Sequence, residues 1–336
     1  MSNETVVRRR IQKTGRREVE NDYDSRVMAA DEWHISEHLR MTTRTAEEQK
    51  ERLHALDQGS FIYGFCGFIG SGKNTAASFL LDYTLGQSHS FAGPLKDGVA
   101  AMFGWSREML EGNTDASRAW REQPDEYWSL AFNRSVTPRQ VLQEVGTDVF
   151  RQYLPNMWVH AAARHVKPMT TTVFTDMRFG NEKAWIISQG GSLIWVYRPE
   201  MPHLSNSTAK MVQKLVDNHE TLSDKHVQAE IQRVCRLDTV HTSETSFLYD
   251  GFNQPHVVIK NTTTIDDLSL MMRHLHKKIK VSPDFRHEVP WNERTLYLSM
   301  LNGEYWWEWS TTHGAPYYCV YDKDHKIIKR SLNVGT

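Results

Sequence analysis

The chain of 336 residues has only three cysteines, Cys66, Cys235 and Cys319, far apart and odd in number. Such spacing builds neither a disulfide framework nor a zinc site, so a reducing cytoplasm is the expected compartment. No apolar run approaches the ~18 residues that mark a membrane span. The N-terminal MSNETVVRRRIQKTGRRE lacks the apolar centre of a signal peptide. A charge excess is missing as well: 40 Lys and Arg stand against 41 Asp and Glu, for a net charge of −1. Bulk attraction to nucleic acid or to an anionic membrane is not expected, and any anion must be held by a local cluster of donors. Histidine is plentiful at 16, yet no pair sits beside an acid at convincing metal spacing. The nearest approach is HETLSDKH (219–226).

What is present supports a core. Apolar residues make up 39% of the chain and aromatics 11%, a globular composition. Residues 1–58 are polar, and the basic run RRRIQKTGRR (8–17) is followed at once by the acidic EVENDYD. A solvated, partly helical or disordered extension is the expected reading, with nucleic-acid contact the less favoured one. From 59 to 280 short apolar runs (SFIYGFCGF, HSFAG, TTVFTD, SLIWVYRP, HVVIK) alternate with helical patterns. That alternation predicts an α/β fold, a parallel sheet of about five strands flanked by helices. In TPRQ, Thr137 can cap a helix whose first turn holds Pro138. Residues 281–336 change character: RTLYLSMLNGEYWWEWS flanks Asn302-Gly303 with strand formers, and YYCVY and HKIIKR suggest a second hairpin. A small antiparallel appendage is expected there, its Trp306, Trp307 and Trp309 packing the hairpin rather than binding bases.

Residues 64–75, GFCGFIGSGKNT, carry the chemistry. Gly67 to Lys73 fit G-x-x-x-x-G-K, a loop whose small residues let successive backbone N–H groups converge on phosphate oxygens. Gly67, Gly70, Ser71 and Gly72 shape the loop, and Lys73 supplies the charge. The hydroxyl expected after the lysine is replaced by Asn74, and Thr75 follows one residue late. Magnesium takes hard oxygen donors and keeps several waters, so the Asn74 carbonyl can serve it directly or through water.

The ordered segments GFIGSGKNT, SFAGPLKDGVAAMFGW, LEGNTDASRAWREQPDEYW, TPRQVLQEVGTDVFR, NMWV, TDMRFGNE and VYRP resemble the bacteriophage deoxynucleoside monophosphate kinases. The similarity runs through 60–200 and returns at DNHETLSD and HVVIKNTTTIDDL. It implies a P-loop kinase fold and transfer of the ATP γ-phosphoryl to a deoxynucleoside monophosphate. In that family the residue after the loop lysine is often Asp, so Asn74 is a departure. Lys96 would lie near the acceptor phosphate, or be a solvated lysine at a helix start. Arg118 and Arg121, three apart on one helical face, either clamp a phosphate or pair with Glu122 and Asp125. Trp120 and Trp128 could stack on a base or pack a core. Arg139 is similar to the family's phosphate-binding arginine, and Gly146, Thr147 and Asp148 resemble its base-reading segment, with Trp158 nearby. Asp176, at the end of a buried strand, is placed to hold magnesium, and Arg178 to neutralise the transferring phosphoryl. Arg198 resembles the residue that packs along adenine. His219 and Glu220 match a segment before the last strand.

Phosphoryl transfer of this kind rests on positioning and charge stabilisation, and a phosphate acceptor needs no strong base. The expected ligands are therefore ATP, Mg2+ held by Asn74 and Asp176, and a deoxynucleoside monophosphate; no membrane is involved, and a homodimer is left open. Two other readings remain: a P-loop kinase with a different acceptor, such as a small metabolite or a modified base in DNA, or an ATP-binding protein without turnover.

Overall fold

The computed structural model describes residues 61–331 apart from 85, 168–169, 221, 223, 239, 250–254, 282–294 and 310–317. The polar extension 1–58 lies outside the described residues. The described residues form an α/β structure on one nine-stranded mixed sheet, ordered β2-β3-β1-β4-β5-β6-β7-β8-β9.

β1 (Ile62–Cys66) is buried throughout and pairs parallel with β3 (Thr172–Phe174) on one side and β4 (Ser192–Tyr197) on the other. β2 (Gln87–His89) lies outside β3, and β5 (Val257–Lys260) outside β4, both parallel. The near-continuous apolar runs of β1 and β4 follow from this, because a central parallel strand is covered on both faces. From β1 the chain first moves outward to β2, returns through β3, then crosses to β4. That reversal opens a crevice at the carboxyl end of β1.

The helix α1 (Lys73–Thr84) follows β1 and packs with α9 (Ile265–Val281) on one face of the sheet. Ala76, Ala77 and Leu80 of α1 and Leu268, Met271, Met272 and Leu275 of α9 share a core with β1, β4, β5 and β6. The other elements that matter below are α2 (Gly93–Phe103), α3 (Asp115–Arg121), α4 (Pro138–Gln143), α5 (Met157–Ala163), α6 (Gly180–Ser188), α7 (Asn206–Asp217) and α8 (Lys225–Cys235). α6 crosses the sheet face at Gly64, where a Cβ would stand 2.3 Å from Ile186 Cδ1.

The two C-terminal hairpins form, but β6 (Leu296–Leu301) pairs parallel with β5. β7 (Glu304–Trp309), β8 (Tyr318–Tyr321) and β9 (Ile327–Ser331) then add antiparallel. These strands extend the main sheet, which has nine strands where the sequence pattern indicates about five. The Asn302-Gly303 turn has both φ angles positive, 52° and 78°, as a type I′ hairpin requires. The buried indole of Trp307 donates to His274 Nε2 of α9 at 2.8 Å, which pins the hairpin over that helix. Among the described residues no helix is long and apolar enough to cross a membrane.

Candidate functional site

The loop between β1 and α1 stands at the crevice. Gly67, Gly70 and Gly72 all have positive φ (145°, 80° and 91°), which L side chains rarely adopt. Space also excludes a side chain at two of them: a Cβ on Gly67 would meet Val196 O at 2.5 Å, and one on Gly72 would meet Asn261 Nδ2 at 2.5 Å. The first backbone N–H groups of α1 have no intrahelical acceptor and carry the positive end of the helix dipole. Lys73 folds back, its Nζ donating to Phe68 O at 3.2 Å. Ser71 is buried, and its Oγ has no hydrogen-bond partner among the described residues.

Burial pushes the Lys73 ammonium down to about 8, Arg178 pushing the same way and Glu244 opposing it. Arg178, just beyond β3, donates through Nη1 to Glu244 Oε1 at 2.8 Å and to Ser243 O at 3.1 Å. Burial works against its charge, but Glu244, with Asp176 and Glu182, holds the guanidinium above its ordinary value. Arg139, in the first turn of α4, donates through Nη2 to the same Glu244 Oε1 at 2.9 Å. Its Nη1 lies 3.4 Å from the exposed Glu122. Arg121, at the end of α3, folds over Gly112, where a Cβ would stand 2.2 Å from its Cζ. Its Nε is buried without a partner among the described residues. Burial lowers its pKa, and Arg139 lowers it further. Lys73, Arg178, Arg139 and Arg121 thus form a chain of mutually felt cations around largely buried Glu244. Such a cluster can receive an anion.

Asp176 faces this group from the end of β3. Its Oδ2 accepts from Ser90 Oγ at 2.5 Å and Ala92 N at 2.9 Å, and its Oδ1 from Phe91 N at 2.9 Å. The carboxylate therefore organises the turn into α2 and keeps one lone pair, on Oδ1, uncommitted. A cleft of about 730 Å³ opens beside it, lined by Asn74 and Thr75 of α1, by Ser90 and Thr175, and by Asp97 and Glu111.

The remaining residues singled out in the sequence divide. Lys96 is tied to Glu111 at 2.7 Å. Arg118 stays on the surface, paired with Asp115 at 2.5 Å, so α3 sends only Arg121 inward. Arg198 is exposed and pairs with Glu200 at 2.9 Å. Gly146, Thr147 and Asp148 lie in a π-helical turn, Glu144–Val149, where the expected continuous helix gains an extra residue. Gly146 is buried against α2, since a Cβ there would stand 2.5 Å from Leu95 Cδ2. The buried Trp158 indole donates to Gly146 O at 2.9 Å. Thr147 is half-buried and Asp148 exposed. Trp120 and Trp128 join an aromatic cluster with Phe103 and Trp105, and Trp128 Nε1 donates to Phe103 O at 3.0 Å. His219 is spent on Glu308 at 3.0 Å and Lys260 at 2.7 Å.

Three polar residues at the site went unread. Asn261, just past β5, donates to Ser71 O at 2.9 Å and braces the loop. Glu182 accepts from the backbone N–H of Arg178 at 2.7 Å and of Phe179 at 3.0 Å, and pairs with Arg151. Burial raises its pKa, against Arg151. Glu244 is the third. Glu182 stands within the quoted segment TDMRFGNE, in the first turn of α6. Asn261 stands in the quoted segment HVVIKNTTTIDDL, just past its strand run, while Glu244 carries no local signal.

No family model matches the chain. A protein of Acanthamoeba polyphaga mimivirus, provisionally named a deoxynucleotide monophosphate kinase, is 36% identical over 152 residues. The match covers 41% of this chain and 74% of the viral protein. The chain belongs to the family of that protein, the deoxynucleotide monophosphate kinases.

Proposed function

We propose that the protein is an ATP-dependent phosphotransferase that moves the γ-phosphoryl of ATP to a deoxynucleoside monophosphate. The observation that carries this reading is the cation chain at the carboxyl end of β1: Lys73 in the glycine loop, with Arg178, Arg139 and Arg121 opposite. In this reading the loop is a P-loop. Its backbone N–H groups and Lys73 hold the triphosphate, and the unpaired Ser71 hydroxyl gains a partner there. Arg178 neutralises the transferring phosphoryl, and Arg139 and Arg121 hold the acceptor phosphate.

Magnesium fits the donors present. Asn74, Thr75 and Asp176, through the second lone pair of an Oδ1 that already accepts from Phe91 N, are hard oxygen donors near the loop, and magnesium binds through one or two carboxylates plus substrate phosphates. Held by these residues, the ion would supply positive charge that offsets the phosphate oxygens. Asp176 meanwhile keeps the turn into α2 in place through Ser90, Phe91 and Ala92. An acceptor that is already a phosphate dianion needs no base.

The test is transfer of labelled γ-phosphate by purified protein to dGMP, dTMP, dCMP, dAMP and modified pyrimidine monophosphates. Labelled diphosphate from at least one is expected. Label entering DNA, or no label transferred at all, would overturn the reading.

A further inference from the structure

Among the described residues, Glu244 is the carboxylate that Arg178 and Arg139 share. A single oxygen, Oε1, accepts from Arg178 Nη1 at 2.8 Å and from Arg139 Nη2 at 2.9 Å. Two guanidinium groups converging this closely repel each other, and the bridging carboxylate offsets that repulsion. The bridge also uses only part of each fork. Arg178 keeps Nε and Nη2 without a hydrogen-bond partner among the described residues, where its bonds leave from Nη1 and the backbone. On Arg139, the only other polar contact among the described residues is the exposed Glu122 at 3.4 Å. The unused N–H groups remain for a ligand.

The segment that brings Glu244 is anchored on the same machinery. It comprises a helical turn, Thr242–Thr245, and a 3₁₀ turn, Ser246–Leu248. Ser246 Oγ donates to Arg178 O at 3.1 Å, and buried Lys183 of α6 donates to Phe247 O at 2.7 Å. The Phe247 ring meets that of Phe68, in the glycine loop, edge-on at 4.9 Å. Phe68 O in turn accepts from Lys73. One segment therefore touches the loop through Phe247 and aligns both arginines through Glu244. Arg178 and Arg139 hold the Glu244 carboxyl below its ordinary value against the opposing effect of burial, so it stays ionised at neutral pH.

Resting on the proposed kinase reading, we infer that Glu244 is a positioning residue for phosphoryl transfer: it fixes the spacing and orientation of Arg178 and Arg139 without itself gripping nucleotide. An anion beside an anionic ligand opposes binding while it orders the groups that act in the transition state. Its removal therefore separates affinity from rate, which loss of a merely structural contact would not do.

The experiment compares wild type, Glu244→Gln and Glu244→Asp in two measurements, each variant first checked by thermal melting. Titration calorimetry with a non-hydrolysable ATP analogue reads affinity, and labelled transfer to the best acceptor reads kcat. For Glu244→Gln, analogue affinity is expected to be equal to wild type or tighter, with kcat reduced at least ~10-fold, the order expected for losing a charge-assisted pair. Glu244→Asp keeps the charge but draws the oxygen back by one methylene, so affinity stays at the wild-type value while kcat again falls. Wild-type kcat in either folded variant overturns the inference and leaves the kinase reading standing. A parallel fall of affinity and kcat also overturns it. Absence of transfer by wild type itself removes the kinase reading, and this inference with it.

Discussion

The side-chain amide of Asn261 donates to the Ser71 carbonyl at 2.9 Å, joining the end of β5 to the glycine loop across 190 residues of sequence. Both partners are buried. Removing the donor leaves a buried carbonyl unsatisfied, a cost of about 1–3 kcal/mol. Asn261→Ala is therefore expected to lower the unfolding midpoint and weaken ATP-analogue binding, read by denaturant titration and calorimetry. Gly72→Ala attacks the same contact from the loop side, adding backbone strain at φ 91° and a Cβ 2.5 Å from Asn261 Nδ2. It should weaken binding further than Asn261→Ala does.

Asp176 holds three donors from the turn into α2, so its charge matters to the fold as well as to any ion. Asp176→Asn swaps charge-assisted bonds for neutral ones and introduces an NH2 facing N–H groups. A loss of about 1.5–3 kcal/mol is expected, with Ser90→Ala costing about 1 kcal/mol. Because both act on one contact, the double variant should fall short of the sum, a coupling visible in a double-mutant cycle by chemical denaturation.

The buried Lys73 makes a signed statement about pH. Its pKa falls from 10.5 to about 8 in the folded chain. Between those values the unfolded chain binds more protons than the folded one, so this group makes stability rise as pH increases from about 8 to 10.5. Below pH 8 its cost is constant. Bound triphosphate favours the charged form, so nucleotide binding should take up a proton above pH 8 and none well below it. Calorimetry at pH 9 in buffers of different ionisation enthalpy reads that uptake, and Lys73→Met should abolish it.

The π-helical turn is held by a close approach and one indole. Gly146→Ala would press a methyl against Leu95 at 2.5 Å, overpacking that costs about 1–3 kcal/mol. Trp158→Phe removes the bond to Gly146 O, worth about 1 kcal/mol. Both are expected to lower the melting temperature.

The sequence showed the β1–loop–α1 unit clearly, because an apolar run, spaced glycines and a helical pattern are all local. Arg178 and Asp176 were legible for the same reason, standing at the exit of a recognisable buried strand. Arg118 and Arg121 could not be told apart: three residues apart, they share a helical face, and only the fold over Gly112 turns one inward. Trp158, read as near a base, spends its indole in the core on Gly146 O. Glu244 lies in a polar stretch and Asn261 just past the β5 run, but their partners lie 66 and 190 residues away. No periodicity reports such contacts. The pairing of β6 with β5 was hidden likewise, since a hairpin's turn is written locally and its parallel neighbour is not.

The central claim is that Lys73, seated in the glycine loop, grips a nucleoside triphosphate. Calorimetric titration of wild type and Lys73→Ala with an ATP analogue and magnesium tests it most directly. Loss of the lysine's charge-assisted bonds, about 1.5–3 kcal/mol, should weaken binding roughly ten- to hundredfold while the melting temperature does not fall. Equal affinity in the two proteins would contradict it.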